Sequence, residues 1–145
     1  MFLTTHSIIG AATALVIKNH FLAVPVNFCL HFLLDLIPHR DLGIGFEKRT
    51  KIQNLILSFI DGITGLAAVF LLFQYRRPFF PFIWLGTGIN LLPDFMAAPE
   101  LFFKLNLFPK INYFHNKIAH RDTPDIFWGI FPQLLIIAFC FLIAK

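Results

Sequence analysis

Histidines and carboxylates set among apolar neighbours are the residues of this 145-residue chain whose types and spacing could do chemistry. His31, Asp35 and His39 recur every four residues, and on a helix each such step turns only about 40° around the axis, so the three share one face. His6 stands at the start of the first apolar run and Asp61 near the start of the third. Asp94 follows Pro93 at the end of the fourth run, with Asn90 one turn earlier, and His115 and His120 precede the last. Neutral imidazoles with carboxylates suit a divalent cation such as zinc, manganese or iron. The candidate metal ligands are therefore His6, His31, Asp35, His39, Asp61, Asp94 and His120. His115 and His120, five apart, would stand about 140° apart on a helix, so at most one is expected to ligate. His120 is preferred because the adjacent Arg121 suits a phosphate or carboxylate group of a substrate. Asn90 is a second candidate substrate contact. Asp122 and Asp125 flank Pro124 and are expected to cap the following helix. Cys29 and Cys140 lie in separate apolar runs and read as buried hydrophobes, not as a disulfide or thiolate pair.

These groups must be positioned by apolar elements. Hydrophobic residues make up 57% of the chain and charged residues 14%, with a mean hydropathy of +0.73. Soluble domains carry about 25% charged residues. The balance predicts an all-α integral membrane protein and excludes disordered, collagen-like, coiled-coil and disulfide-rich secreted classes. The net charge of +4 lacks the clustered basic and aromatic pattern of a nucleic-acid surface. No P-loop, Gly-x-Ser-x-Gly or His-Glu-x-x-His motif occurs. A cleavable leader is not expected either, because no basic stretch precedes the first apolar run.

Apolar runs at 8–17, 21–37, 52–73, 81–92 and 126–144 predict about five transmembrane helices in a single membrane domain, 1–145. The stretch 95–125, with Pro99, Pro109 and Pro124 as helix stops, reads as an interfacial amphipathic segment or a connecting loop. With the N-terminus cytoplasmic, eight basic residues fall on that side (Arg40, Lys48, Arg49, Lys51, Lys104, Lys110, Lys117, Arg121) and four (Lys18, Arg76, Arg77, Lys145) on the other. The positive-inside rule then predicts a multi-pass inner-membrane protein with its N-terminus inside. The metal-ligand candidates lie on that same side, and His20 is the one histidine on the other.

A shift of 55 residues lays 6–39 on 61–94 with six identities, among them Gly10 on Gly65 and Pro38 on Pro93. It also places His6 on Asp61, Asp35 on Asn90 and His39 on Asp94. The first four helices are thus expected to form two hairpins related as a parallel repeat, their polar ends meeting in one cytoplasmic vestibule. Gly10 and Gly65 would let helices approach closely, as in ordinary membrane-helix packing.

Thr5-His6-Ser7, the run His31-Phe-Leu-Leu-Asp35-Leu-Ile-Pro38-His39, and Leu91-Leu92-Pro93-Asp94 followed by His115 to Arg121 resemble motifs of the YdjM-like membrane-bound metal-dependent hydrolases of bacterial inner membranes. His31, Asp35 and Pro38 match that family's His-x-x-x-Asp element, with the proline one position early. Pro93-Asp94 matches the start of its Pro-Asp element and His120-Arg121 the start of its His-Arg element. The chain departs at Phe95 and Met96, where the family has a second Asp and His, and after Arg121, where it lacks the second His. The resemblance implies a divalent-metal site and hydrolytic chemistry.

A charge inside a spanning segment costs at least about 2.5–3.5 kcal/mol, so Asp35 and Asp61 require partners or a cation. The leading expectation is a hydrolase acting on an ester or phosphoester, lipid-linked ones included, at the cytoplasmic interface, with Asp35 or Asp61 as general base. A small ion carrier and a non-catalytic structural membrane protein are the alternatives.

Overall fold

The structure is a computed structural model describing residues 1–17 and 19–144, and the chain is all-helical with no strand among them. Lys18 and Lys145, counted above for the far side, lie outside the described residues, as do the side chains of His20 and Arg77. The helices are α1 (Leu3–Val16), α2 (His20–Asp35), α3 (Lys51–Phe73), α4 (Phe80–Phe103), α5 (Pro109–Tyr113) and α6 (Ile126–Ile143). A π-helical turn, Phe114–Ala119, continues α5.

Their ends follow from local chemistry. Thr50 and Gln53 form a capping box that starts α3, each side chain bonding the other's backbone N–H. Asp125 accepts the Trp128 N–H and starts α6, as its place after Pro124 predicts. α4 runs through Pro93 and Pro99, where the sequence suggests stops, and the helix continues as far as Phe103. Each proline removes one hydrogen bond without reversing the chain, and the buried Pro93 and Phe102 hold the helix by packing. α4 stops where Lys104 turns left-handed at φ 61°, with Lys104 and Leu105 donating back to the Glu100 and Pro99 carbonyls.

α1 is the central helix. Its residues from Thr5 to Ala12 are all buried, and α2, α3, α4 and α6 pack around it. Small residues make this possible. A Cβ on Gly10 would stand 2.5 Å from the Gly86 carbonyl oxygen of α4, and one on Gly65 would stand 2.6 Å from Ser7 Oγ. Gly10 therefore meets Gly86, and Gly65 separately meets α1. Gln133 of α6 joins the start of α1 to the chain after α2, accepting from the Phe2 N–H and the Thr5 hydroxyl while donating to the Arg40 carbonyl. Cys140 lies in the core with Ile8, Val69 and Phe73, whereas Cys29 is exposed on α2, so only the former is the buried hydrophobe its surroundings suggest.

α3 and α6 are long and apolar enough to cross a membrane, and only 11% and 17% of their apolar windows are buried. Their outward side chains include Phe59, Leu71, Trp128 and Leu142. Apolar surface on this scale marks contact with lipid or another protein. α1 and α2, at 14 and 16 residues, are shorter than the roughly 20 that a span requires.

Candidate metal centre

The buried polar residues converge where α1 begins and α2 ends. His6, His31, Asp35 and His39 are each fully buried. Asp35 lies in the middle, with Oδ1 3.1 Å from His6 Nε2 and Oδ2 3.4, 3.3 and 3.2 Å from His31 Nε2, His115 Nε2 and His120 Nδ1. α4 contributes Asp94, whose Oδ1 is 3.4 Å from His115 Nε2. Six expected ligands, His6, His31, Asp35, His39, Asp94 and His120, are therefore brought together.

Two tripeptides of identical sequence complete the cluster. His39-Arg40-Asp41 and His120-Arg121-Asp122 lie parallel, joined by a bridge between His39 and Asp122. The His39 N–H donates to the Arg121 carbonyl at 3.1 Å, and the Thr123 N–H to the His39 carbonyl at 2.8 Å. This pairing sets His120 Nε2 3.0 Å from both Asp41 Oδ2 and Asp122 Oδ1, and His39 Nε2 3.7 Å from Asp122 Oδ1. Asp41, Asp122 and His115 are the members that the sequence reading missed. The repeated His-Arg-Asp tripeptide was the available signal for the first two. His115 was set aside on α-helical geometry, but the π-turn closes with a bond from the His120 N–H to the His115 carbonyl. That wider turn brings the two rings to 5.3 Å, so both take part.

Three expected site residues do other work. Asp61 lines the cavity described below but lies apart from the cluster and caps α1 from α3, its carboxylate accepting the Leu3 N–H at 2.7 Å, the Thr4 N–H at 3.2 Å and the Thr4 hydroxyl at 2.7 Å. A carboxylate at a helix N-terminus satisfies free donors and meets the positive end of the dipole. Asn90, expected to touch substrate, is fully buried and holds His6 instead. Arg121 contributes its backbone, whose N–H donates to the Asp35 carbonyl, while its side chain is exposed.

Ring orientation is set from behind. Asn90 Nδ2 donates to the Asn27 carbonyl at 3.0 Å, which turns its oxygen toward His6 Nδ1, also at 3.0 Å. His39 Nδ1 donates to the Ile37 carbonyl at 2.8 Å, and His120 Nδ1 to Asp35 Oδ2. His115 Nδ1 pairs with Asn116 Oδ1 at 3.0 Å. For His6 and His39 the Nδ1 bond leaves Nε2 facing the cluster as a lone pair, the arrangement by which outer partners orient metal-ligating histidines, whereas Nε2 of His115 and His120 faces carboxylates.

The electrostatics ask for a cation. Burial works against a charged His120, but hydrogen bonds to Asp122, Asp35 and Asp41 outweigh it and raise its pKa to about 11. Burial likewise opposes a charged His115, and Asp35 and Asp94 raise it to about 9. Burial pushes His39 down to about 4. Asp41 stays below the usual carboxylate range because its bond to His120 outweighs burial. His31 and His115 face each other Nε2 to Nε2 at 3.1 Å, and Asp94 Oδ2 is buried without a partner. The Met1 nitrogen, 2.6 Å from Asp35 Oδ1 and 2.8 Å from His39 Nε2, marks where positive charge sits against this carboxylate. Mixed imidazole and carboxylate donors with unmatched lone pairs fit a divalent metal ion.

The cluster closes one end of a cavity of about 630 Å³. Its polar end carries Asp94, His115, His120 and Asp122, and its walls include Leu3, Phe46, Phe95, Leu101 and Phe102. Arg49 fixes the wall formed by 41–48, donating to the Leu42 carbonyl and, at 2.7 Å, to Asn54 Oδ1. Asn54 in turn donates to the Phe46 carbonyl at 3.0 Å. The arrangement can hold a charged group at the cluster and an apolar group against the walls. Comparison with family models, with curated proteins and with solved structures found no match for this chain.

Proposed function

We propose that this chain is a membrane-embedded metal-dependent hydrolase that cleaves an ester or phosphoester of an amphiphilic substrate. The observation that carries the reading is the convergence of five histidines and four aspartates at the closed end of a cavity with apolar walls. The resemblance to YdjM-like hydrolases points the same way. A bound divalent cation supplies Lewis acidity and a water of lowered pKa. His6, His31, His39, His115 and His120 would supply imidazole ligands to metal at this cluster, with Asp35, Asp41, Asp94 and Asp122 balancing the charge. Asp94, with Oδ2 unpartnered and on the cavity wall, is placed to accept the proton of the attacking water. This role passes to Asp94 because Asp61 is committed to α1 and Asp35 is surrounded by histidines. Leu101, Phe102 and Phe46 receive the apolar part of the substrate, and Lys48 on the same wall attracts an anionic head.

In this reading the bundle sits in the inner membrane with α3 and α6 against lipid, and α1, α2 and α4 supply the other three of five crossings, α1 and α2 as short ones. Arg40, Lys48, Arg49 and Lys51 lie at the end of the molecule that holds the site, which favours a cytoplasmic N-terminus. Against the carrier alternative, the void beside Ala14, Ala23 and Gly86 measures only about 10 Å³, the limit for a single water.

The test is hydrolysis of a long-chain phosphodiester and of its water-soluble short-chain analogue in detergent, by metal-loaded and chelator-stripped protein. The reading expects cleavage only with metal, preference for the long chain, and loss in Asp94→Asn. Equal rates with and without metal would sink it.

A further inference from the structure

We infer that the centre holds two divalent cations, one on each side of Asp35. This rests on the metal-centre reading above and extends it.

The donors are too many for one ion. A zinc-like cation takes four protein ligands and a larger ion such as calcium about six to eight, and nine residues converge here. They also divide by distance. One set is His39 Nε2, Asp41 Oδ2, His120 Nε2 and Asp122 Oδ1, with contacts of 3.0, 3.0, 3.7 and 4.0 Å. The other is His31 Nε2, His115 Nε2 and Asp94 Oδ1, at 3.1, 3.4 and 3.9 Å, with His6 beside His31 and Asp94. Four donors arranged tetrahedrally at about 2.0–2.2 Å from a cation are about 3.3–3.6 Å from each other. Both sets straddle that edge length, so each closes on a cation by shifts of a few tenths of an ångström.

Asp35 belongs to both. Its Oδ2 lies 3.4 and 3.3 Å from His31 and His115 of the second set and 3.2 Å from His120 Nδ1 of the first, while its Oδ1 lies 3.1 Å from His6 beside the second and 3.8 Å from His39 of the first, with the Met1 ammonium 2.6 Å away in the position a cation would take. A carboxylate that touches both sets can bridge two ions. The bonds behind the rings match this division: His39 is set by Ile37, His6 by Asn90 and His115 by Asn116, so each set has its own support.

The experiment is metal stoichiometry. Detergent-purified full chain, stripped with chelator and dialysed against excess manganese, is analysed by elemental mass spectrometry, with manganese electron paramagnetic resonance on the same samples. Two ions per chain and an exchange-coupled spectrum are expected in the wild type. His39→Gln and Asp94→Asn should each retain one ion and give an uncoupled six-line spectrum. One ion per chain at saturation, lost in both variants, would overturn the two-ion centre while leaving the metal hydrolase intact. No bound ion in the wild type would overturn both. The wild-type count decides even where a variant fails to fold.

Discussion

Replacing Asp61 separates its structural role from a catalytic one. The carboxylate accepts three hydrogen bonds from the first turn of α1, at 2.7, 3.2 and 2.7 Å. Hydrogen bonds to a charged group contribute about 1.5–3 kcal/mol each, and a carboxylate at a helix N-terminus adds about 0.3–1 kcal/mol. The three bonds share one acceptor group and one turn, so they do not add fully. Asp61→Ala should therefore cost about 3–5 kcal/mol. Asp61→Asn keeps one acceptor oxygen and should cost about 1–2 kcal/mol. At roughly 2–4 °C per kcal/mol, the alanine variant should melt about 6–20 °C lower than wild type. The assay is thermal unfolding in detergent, read by intrinsic Trp fluorescence, paired with metal content per folded chain. The expected result is a graded loss of stability, alanine worse than asparagine, with metal content unchanged well below the melting point. Loss of metal at unchanged melting temperature in Asp61→Asn would refute the reasoning and return Asp61 to the site.

Asn90→Ala removes the group that turns His6 and should weaken metal binding about 10–100-fold, measured by competition with a chromophoric chelator; unchanged affinity would mean that His6 needs no such support. Metal uptake should release protons, because His115 and His120, with pKa values of about 9 and 11, are charged at pH 7 before binding and must each present a neutral nitrogen to the metal. About two protons should leave per chain, visible as a dependence of calorimetric enthalpy on buffer ionisation at pH 7, with affinity rising as pH climbs toward 9. No buffer dependence would show that these histidines are not ligands.

The sequence disclosed the half of the site that a single helix carries. Positions 31, 35 and 39 recur at the helical period, and Asp94 is marked by its proline, so their convergence was legible from spacing. His6 was legible because a buried-run histidine needs a partner. Asp41, His115 and Asp122 were not, because their placement depends on the parallel pairing of two short non-helical stretches and on one π-turn, neither of which leaves a hydrophobic period. Asp61 misled for a physical reason: a carboxylate within an apolar helix must be satisfied, and the donors that satisfy it are two backbone N–H groups and a threonine hydroxyl, which carry no distinctive sequence signature. The all-helical class followed from composition. The enclosure of α1 did not, since its small-residue face matches any packed membrane helix and the repeat implied equivalence with α3, whose apolar face instead points outward.

The link from Gln133 to Phe2, Thr5 and Arg40 has a consequence for biogenesis. α1 leaves the ribosome before the residues that complete it, which lie 57–58 positions later at Asp61 and 128–131 later at Gln133. Until α6 is made, the Phe2 N–H and the Thr5 hydroxyl lack their acceptor and the Arg40 carbonyl lacks this donor. Completion of the cluster is thus a late event of high contact order. Chains arrested before α6 should persist as incompletely packed intermediates, the species that quality-control proteases select.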